Sequence, residues 1–216
     1  FGLKMTAPAA IQEVIADLRR LESAKVAVFG SDVHQFRLLP PLPISQIERF
    51  ERQHRIRLPE DYREFLLFAG RGGAGPFYGL FEFHHMDDAH GMKRWEAGDT
   101  FVGSLATPFR YADAWNDLTG RPDDSLIDAN QDEYDRQCEA FEKRYWFPID
   151  GAIPICHCGC ALRQWLVVSG REAGEVWGDD RADYAGLYPI RTQDEERVRF
   201  RQWYRDWLDS ALKAIK

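Results

Sequence analysis

Three short, mainly apolar segments follow one another between residues 153 and 177, and they constrain the fold more than any other feature. They cover Ile153–Ile155, Leu162–Val168 and Glu175–Trp177, and glycine-containing turns at 159 and 169–174 separate them. Short apolar runs bounded by such turns are typical of consecutive β-strands. The sequence therefore predicts an antiparallel meander in this part of the chain.

A series of helical patterns precedes the meander. Apolar residues spaced three and four apart after Pro8 predict an amphipathic helix over 9–22. Capping and proline signals predict two further helices, over about 45–54 and 59–69. These signals are a capping box formed by Ser45 and Glu48, and a proline at a first helical turn, Pro59.

The region between these helices and the meander mixes loop, strand and helix signals. Gly70–Pro76 should end the second of the two helices, and the alternating residues 78–83 that follow predict a strand. A short helix is expected at 111–118, and a longer one over 131–146.

A second capping box, Thr192 with Glu195, predicts the start of a final helix that runs to about Ala214. Helices thus lie on both sides of the strands in the sequence. We predict the α+β class, with a single mainly antiparallel sheet and helices packed around it.

The charge and the cysteines limit the kinds of partner and compartment. The net charge is −7, and residues 77–190 alone carry 21 acidic and 10 basic side chains. This balance disfavours nucleic acid as a partner and favours a protein. Apolar stretches are far shorter than the roughly 20 residues that span a bilayer, so we expect no membrane association. The cysteines do not resemble a secreted disulfide framework and no secretory leader opens the chain, so we expect a cytoplasmic protein.

The stretch Gly70–Gly75 matches the spacing G-x-G-x-x-G of dinucleotide-binding loops. In those loops a strand leads in and a helix leads out, so that amides at the helix start meet the pyrophosphate. Here a helix leads in, and Pro76 and a strand lead out. We interpret the loop as a structural turn and expect no nucleotide.

Two groups of residues could ligate a metal, and neither forms a complete ligand set. Cys156, Cys158 and Cys160 lack the spacing and the second ligand pair of common zinc sites. The other group lies within seven residues of one loop and lacks an organised ligand pattern. It consists of His84, His85, Asp87, Asp88 and His90. We expect no metal and no cofactor, with adventitious metal binding at either group as the open alternative.

The stretch 113–139 contains nine carboxylates and only two arginines. It is either a solvated surface or a surface that captures a basic partner. For the second reading, the candidate partner-binding residues are Asp113, Trp115, Asp117, Asp123, Asp124, Asp128 and Asp132. Tyr111 and Tyr134, with Trp115, would be the aromatic anchors among these acids.

Several segments, in this order and spacing, resemble the SUKH superfamily, which includes a fungal cell-wall assembly regulator and many bacterial immunity proteins. The earlier segments are Phe29–Ser31 with His34 and Phe36, Pro40–Pro43, Ile47, Phe50–Glu51, Leu58–Leu66, Gly72–Pro76 and Tyr78–Phe81. The later ones are Gly159–Cys160, Leu166–Val168, Gly170, Gly174, Val176–Trp177 and Asp179. One departure is Ala161, where the family tends to have glycine.

The resemblance implies a non-enzymatic, protein-binding domain over 28–190. Residues 1–27 would form an N-terminal flanking helix, and 191–216 a C-terminal helix packed on the same domain. The 22 arginines against 6 lysines suit a GC-rich bacterial gene. We therefore expect a bacterial immunity protein that neutralises a cognate polymorphic toxin, whose basic active site the acidic residues would occupy. The alternatives are a regulatory scaffold of the cell-wall assembly type and a metal-dependent enzyme.

Overall fold

Helices and two antiparallel sheets alternate along the chain in the computed structural model, which describes residues 6–88 and 91–215. The helices are α1 (Ala9–Ser23), α2 (Ser31–His34), α3 (Ile44–His54), α4 (Glu60–Phe68), α5 (Leu126–Ala129), α6 (Gln131–Tyr145) and α7 (Phe200–Leu212). The strands are β1 (His85–Asp88), β2 (Gly91–Arg94), β3 (Ala152–Gly159), β4 (Leu162–Val167), β5 (Val176–Asp180) and β6 (Gly186–Pro189). The predicted α+β class is confirmed, with two sheets in the described residues where the sequence predicted one.

The predicted meander is confirmed as a four-stranded sheet in the order β3-β4-β5-β6. Trp165 of β4 lies opposite Trp177 of β5, and Trp177 lies opposite Pro189 of β6. β6 was not predicted, and a 3-10 turn over Arg181–Asp183 connects it to β5. β4 and β5 are buried on both faces, so neither strand alternates between apolar and polar residues, and the polar side chains of Arg163, Gln164 and Asp179 are themselves buried.

The prediction of a strand over 78–83 is wrong in detail. The segment is extended and bonds to the edge of β3, where Phe81 N donates to Ile155 O at 3.0 Å. Leu80, however, makes only isolated bridges, to Cys156 on one side and to Gly73 on the other. Gly79 has a φ of +102°, which interrupts the extended backbone and prevents a continuous ladder.

The three predicted N-terminal helices are confirmed, but the first capping box is not. α3 already begins at Ile44, after Pro43, and the side chain of Pro43 makes no cap hydrogen bond. Ser45 therefore lies within the first turn. Pro59 immediately precedes α4, where its fixed φ suits the start of a helix.

The prediction that Thr192 and Glu195 start the final helix is also wrong. Thr192 Oγ1 accepts a hydrogen bond from Glu196 N at 3.2 Å and closes a turn, and Val198 N donates to Ile190 O at 3.0 Å. Residues 190–198 thus form a small hairpin, and α7 begins only at Phe200. The local Thr-x-x-Glu pattern suits both a helix start and a turn, and backbone pairing decided between them.

In the middle of the chain one predicted helix forms and one does not. α6 agrees with the prediction, and Asn130 Oδ1 caps it by accepting from Glu133 N at 3.2 Å. The helix expected at 111–118 is absent. Trp115 instead pairs with Leu187 of β6 through two backbone hydrogen bonds of 2.8 Å.

Both terminal helices pack against the rest of the chain. α7 contacts α1 and α4, and Trp203 Nε1 donates to Gln164 Oε1 of β4 at 2.9 Å. Tyr204 OH donates to Ala74 O in the glycine loop at 2.8 Å. One hydrophobic core includes residues of α1, α4, α7 and the large sheet. Within the described residues, every helix is too short or too polar to cross a bilayer.

Candidate functional site

The acidic residues predicted to bind a partner lie in two places rather than one. Asp113, Trp115 and Asp117 belong to the extended segment beside β6. Asp123, Asp124 and Asp128 lie before and within α5, and Asp132 lies in the first turn of α6. The two places differ in how far the protein itself neutralises the carboxylates.

The first group is tied into the fold. Asp113 is 3.2 Å from Arg197 Nη2, and Asp117 is 2.5 Å from Arg144 Nη1. Trp115 is half-buried, and its ring packs against Tyr145 at a centroid distance of 5.5 Å. These residues therefore already serve internal contacts.

The second group is less neutralised by the protein's own basic side chains. Residues 123–135 contain six carboxylates and no basic side chain, and none of them is buried. Asp124 is 3.6 Å from Arg121, an ion pair that is largely exposed. Asp128 and Asp132 have no ion-pair partner among the described residues. We call residues 123–135 the acidic face.

The acidic face extends along a helix that is anchored at only one end. The buried residues of α6 are Phe141 and Tyr145, in its last two turns. Its first ten residues, 131–140, include no buried side chain. The beginning of α6 therefore keeps most of its charged side chains in contact with solvent.

Two apolar side chains accompany these charges, and the sequence analysis missed both. Ile127 in α5 is 40% exposed and Leu118 is 37% exposed. Apolar residues surrounded by acids can anchor a partner whose rim is basic. Ile127 is exposed because no residue of the short α5 is buried, which no local pattern indicated.

The aromatic anchors proposed from the sequence take different positions. Tyr134 lies on the acidic face, where its OH is 3.4 Å from Asp124 Oδ1. Tyr111 is half-buried against Phe109 and Phe147, at centroid distances of 5.6 and 6.1 Å. Tyr134 is thus the aromatic residue that lies among the exposed acids.

Local hydrogen bonds keep two of the predicted acids ionised. The pKa of Asp123 is lowered, mainly by the Ser125 side chain and then by the Ser125 backbone N–H. The pKa of Asp117 is lowered by Thr119 in the same way, with Arg144 contributing less. Both groups are therefore negatively charged at neutral pH.

The glycine loop is part of the scaffold. Gly73 pairs with Leu80 on one side and with Leu38 on the other, so the loop is a junction between three backbone segments. A helix leads into it and an extended segment leads out of it, as the sequence indicated. The helix start that would face a phosphate in a dinucleotide-binding loop does not follow this loop.

The cysteines lie on one strand and the turn that follows it. Cys156 is buried and its thiol donates to Pro76 O at 3.2 Å, and burial raises the pKa of this thiol. Cys158 is half-buried and Cys160 is exposed. The three thiols are thus free and differ in their exposure to solvent.

The predicted histidine and aspartate loop is divided by the fold. His84 is buried. His85 is half-buried, and its Nδ1 atom lies within hydrogen-bond distance of Phe83 O, at 3.1 Å. Asp87 accepts from Arg163 Nε at 2.8 Å and is thereby occupied by β4. His90 lies outside the described residues.

A second exposed surface is apolar. The ring of Phe29, 63% exposed, lies 6.3 Å from that of Phe77 and 5.1 Å from that of Tyr78. Val33 is also exposed. The sequence analysis quoted Phe29 and Tyr78 as part of a resemblance, and only the structure shows that they form one patch.

The comparison with protein families identifies the class of protein that this fold represents. Residues 41–184, two thirds of the chain, match the SMI1/KNR4 family (SUKH-1). The chain belongs to this family, and the resemblance seen in the sequence is confirmed. Domains of this family are generally non-catalytic and interact with other proteins. No curated protein and no solved structure matches the chain.

Proposed function

We propose that this protein is a bacterial immunity protein that binds and neutralises a cognate polymorphic toxin through its acidic face. It would act without enzymatic activity, by occupying the active site of the toxin. The toxin would be one that acts on nucleic acid, and the two proteins would meet in the cytoplasm.

The observation that carries this proposal is the excess negative charge of the acidic face, where only two of the six carboxylates, Asp124 and Glu133, have ion-pair partners among the described residues. Enzymes that act on nucleic acid hold phosphates in basic grooves. Six carboxylates on a loop, α5 and the start of α6, five of them exposed and Glu133 half-buried, offer a comparable density of negative charge. Such a surface accelerates association with a basic groove and selects against acidic partners.

The apolar residues of the same region offer the buried contacts on which affinity depends. Charges at the rim of an interface mainly affect the association rate, and affinity depends on buried anchors. Ile127 and Tyr134 lie between the carboxylates of the acidic face. They are our candidates for these anchors.

Protection against the toxin is the direct test. The gene next to the one that encodes this chain would be expressed from a repressible promoter, with and without the protein. We expect that gene product to be toxic and the protein to restore growth. Unrestored growth, with both proteins present at normal levels, would contradict the immunity role.

The contact surface is tested separately, by charge reversal. A variant with Asp123, Asp124 and Asp128 changed to Lys should bind the toxin at least about tenfold more weakly, with a smaller salt dependence. A matched variant with Glu13, Glu48 and Asp194 changed to Lys has the same net charge, and its changes lie on α1, α3 and the 190–198 hairpin. This control should bind like the wild type.

The two variants also distinguish the site from a general charge effect. Equal weakening of both would mean that net charge alone is responsible. Unchanged affinity and salt slope in the first variant would remove the acidic face as the site while leaving the immunity role intact. Binding to several endogenous proteins, with no protection in the growth assay, would instead indicate a regulatory scaffold.

A further inference from the structure

Two buried histidines face each other where α3 ends and β1 begins. His54 is the last residue of α3, and His84 immediately precedes β1. Both side chains are more than nine-tenths buried, and their ring centroids are 5.8 Å apart. In each of them the Nε2 atom has no hydrogen-bond partner among the described residues. Buried ring nitrogens without partners are rare in folded proteins, because each costs free energy.

A carboxylate completes the group. Glu96 follows β2, and the backbone bond from Trp95 N to His84 O, 3.2 Å long, brings it next to His84. Glu96 Oε2 is 3.9 Å from His84 Nε2. One ligand atom from each of His54, His84 and Glu96 lies within 4.8 Å of the other two.

Aromatic rings hold the two imidazoles in place. Phe50 packs on His54 at a centroid distance of 4.4 Å, and Trp95 packs on His84 at 4.5 Å. Trp95 itself is 1% exposed. The two imidazole ligands are thus positioned by apolar, aromatic surroundings, which preorganises them for a metal ion.

We propose that His54, His84 and Glu96 bind a divalent transition-metal ion of the zinc type. Imidazole nitrogens and a carboxylate oxygen are ligands that zinc accepts, and three protein ligands leave one tetrahedral position open. Zinc–ligand bonds of about 2.0–2.2 Å place two ligand atoms of a tetrahedron about 3.3–3.5 Å apart. The exposed side chain of Glu96 can move towards the two imidazoles to shorten its distances to them.

The protonation of His84 suits this role. Burial and, secondly, Arg94 lower the pKa of His84 to about 4, so the ring is neutral at pH 7. Metal ions bind the neutral imidazole. The positive charge of Arg94, however, disfavours a metal cation at His84.

Arg94 is therefore the residue that opposes metal binding. Its Nε lies 3.2 Å from His84 Nδ1 and donates to it. A metal ion bound to Nε2 of the neutral ring requires the ring proton to be on Nδ1. The protonated Nδ1 can then no longer accept the hydrogen bond from Arg94. The Arg94 side chain is 62% exposed and can turn into solvent. Substituting Arg94 should then strengthen metal binding, which no purely structural role of the histidines would produce.

The proposal departs from the sequence-based expectation of no metal, which considered the cysteines 156, 158 and 160 and the residues 84–90 but not His54 or Glu96. A bound ion would join the end of α3 to the β1–β2 hairpin. It would therefore stabilise the folded protein in proportion to its occupancy.

The test uses the full chain, stripped of metal by a chelator and titrated with zinc chloride in a calorimeter. We expect one equivalent to bind and the melting temperature to rise. His54→Gln and His84→Gln should each lose at least about tenfold in affinity, since even residues that only support metal ligands contribute that much. Glu96→Gln should weaken binding and Arg94→Gln should strengthen it. His85→Gln and Cys160→Ser are matched controls that should bind like the wild type.

The absence of a saturable one-equivalent site, or wild-type affinity in both Glu96→Gln and Arg94→Gln, would overturn the proposal. These two variants change exposed side chains, so they remain informative if a histidine variant fails to fold. Cobalt chloride gives a second readout. Absorption bands from nitrogen and oxygen ligands alone are expected, and a thiolate-to-cobalt band would place the ion at the cysteines and refute the site.

Discussion

Arg181 and Asp179 form a bidentate ion pair in which both side chains are almost completely buried. Arg181 Nε and Nη2 donate to the two carboxylate oxygens of Asp179, each at 2.8 Å. Asp179 also accepts from Trp165 Nε1 at 3.2 Å, and Arg181 donates to Phe147 O at 2.9 Å. The pair thereby joins β5 and β4 to the segment that follows α6.

Removing one charge of this pair should destabilise the protein strongly. Asp179→Asn leaves the Arg181 guanidinium buried without its counter-charge, which costs about 3–5 kcal/mol. We expect a fall in melting temperature of about 10 °C, since about 2–4 °C corresponds to 1 kcal/mol in a chain of this size. Asp183→Asn, an exposed residue in the adjacent turn, is the control. Similar melting temperatures for the two variants would refute the role of the buried pair.

Gly73→Ala should be far more disruptive than Gly75→Ala. Gly73 has a φ of +104°, and a Cβ there would lie 2.4 Å from Arg37 O. Strain of this kind costs about 1–3 kcal/mol, before the backbone collision is added. Gly75 has no positive φ, and a Cβ there would lie 2.9 Å from Cγ and 3.1 Å from the backbone N of Leu80, which are less severe contacts. Chemical denaturation of both variants measures the difference, and equal stabilities would contradict the argument from the backbone conformation of Gly73.

Acidification should destabilise the protein in part through His34. Burial lowers the pKa of His34 below its ordinary 6.5, with Asp32 opposing this effect. Below pH 6.5 the unfolded chain takes up a proton that the folded protein refuses, so the free energy of unfolding decreases as the pH falls. His34 Nδ1 accepts from Phe36 N at 3.1 Å, and Asn at this position can accept the same bond.

The measurement compares urea denaturation of wild type and His34→Asn at pH 7 and pH 5, with chelator present. The wild type should lose more stability between the two pH values than the variant does. The same loss in both proteins would show that His34 does not contribute.

A fragment of residues 28–190 should not fold alone, although the sequence placed the family domain within those limits. α1 and α7 contribute apolar residues to the common core, among them Leu18 and Leu208. Without these helices the core positions of α4 become exposed, and most of the burial around them is lost. Circular dichroism and gel filtration of the fragment are the test. A cooperative, monomeric fragment would support 28–190 as an independent domain.

Local patterns in the sequence determined most of the secondary structure. The periodicity of α1 and of α6, and the turns between β3, β4 and β5, depend on side chains close together in the chain. Errors arose where one pattern suits two structures. Thr192 and Glu195 suit a helix start or a turn, and the residues around Trp115 suit a helix or an extended edge.

The candidate sites were less predictable, because they depend on contacts between residues that are far apart in the chain. The excess of acids could be counted in the sequence, but the pairing of Asp113 and Asp117 with Arg197 and Arg144 depends on residues that lie far away in the chain. The exposure of Ile127 likewise depends on how the other elements of the fold pack around α5.

The sequence by itself thus determined the fold class, the family and the location of the negative charge, because each is a property of composition, spacing or local periodicity. Only the tertiary structure decided which carboxylates remain uncompensated and which histidines meet. His54 and His84 are 30 positions apart, and no spacing rule connects them. They come together because α3 and the β1–β2 hairpin pack through Phe50 and Trp95. Contacts between separate elements are set by packing, which local patterns do not encode.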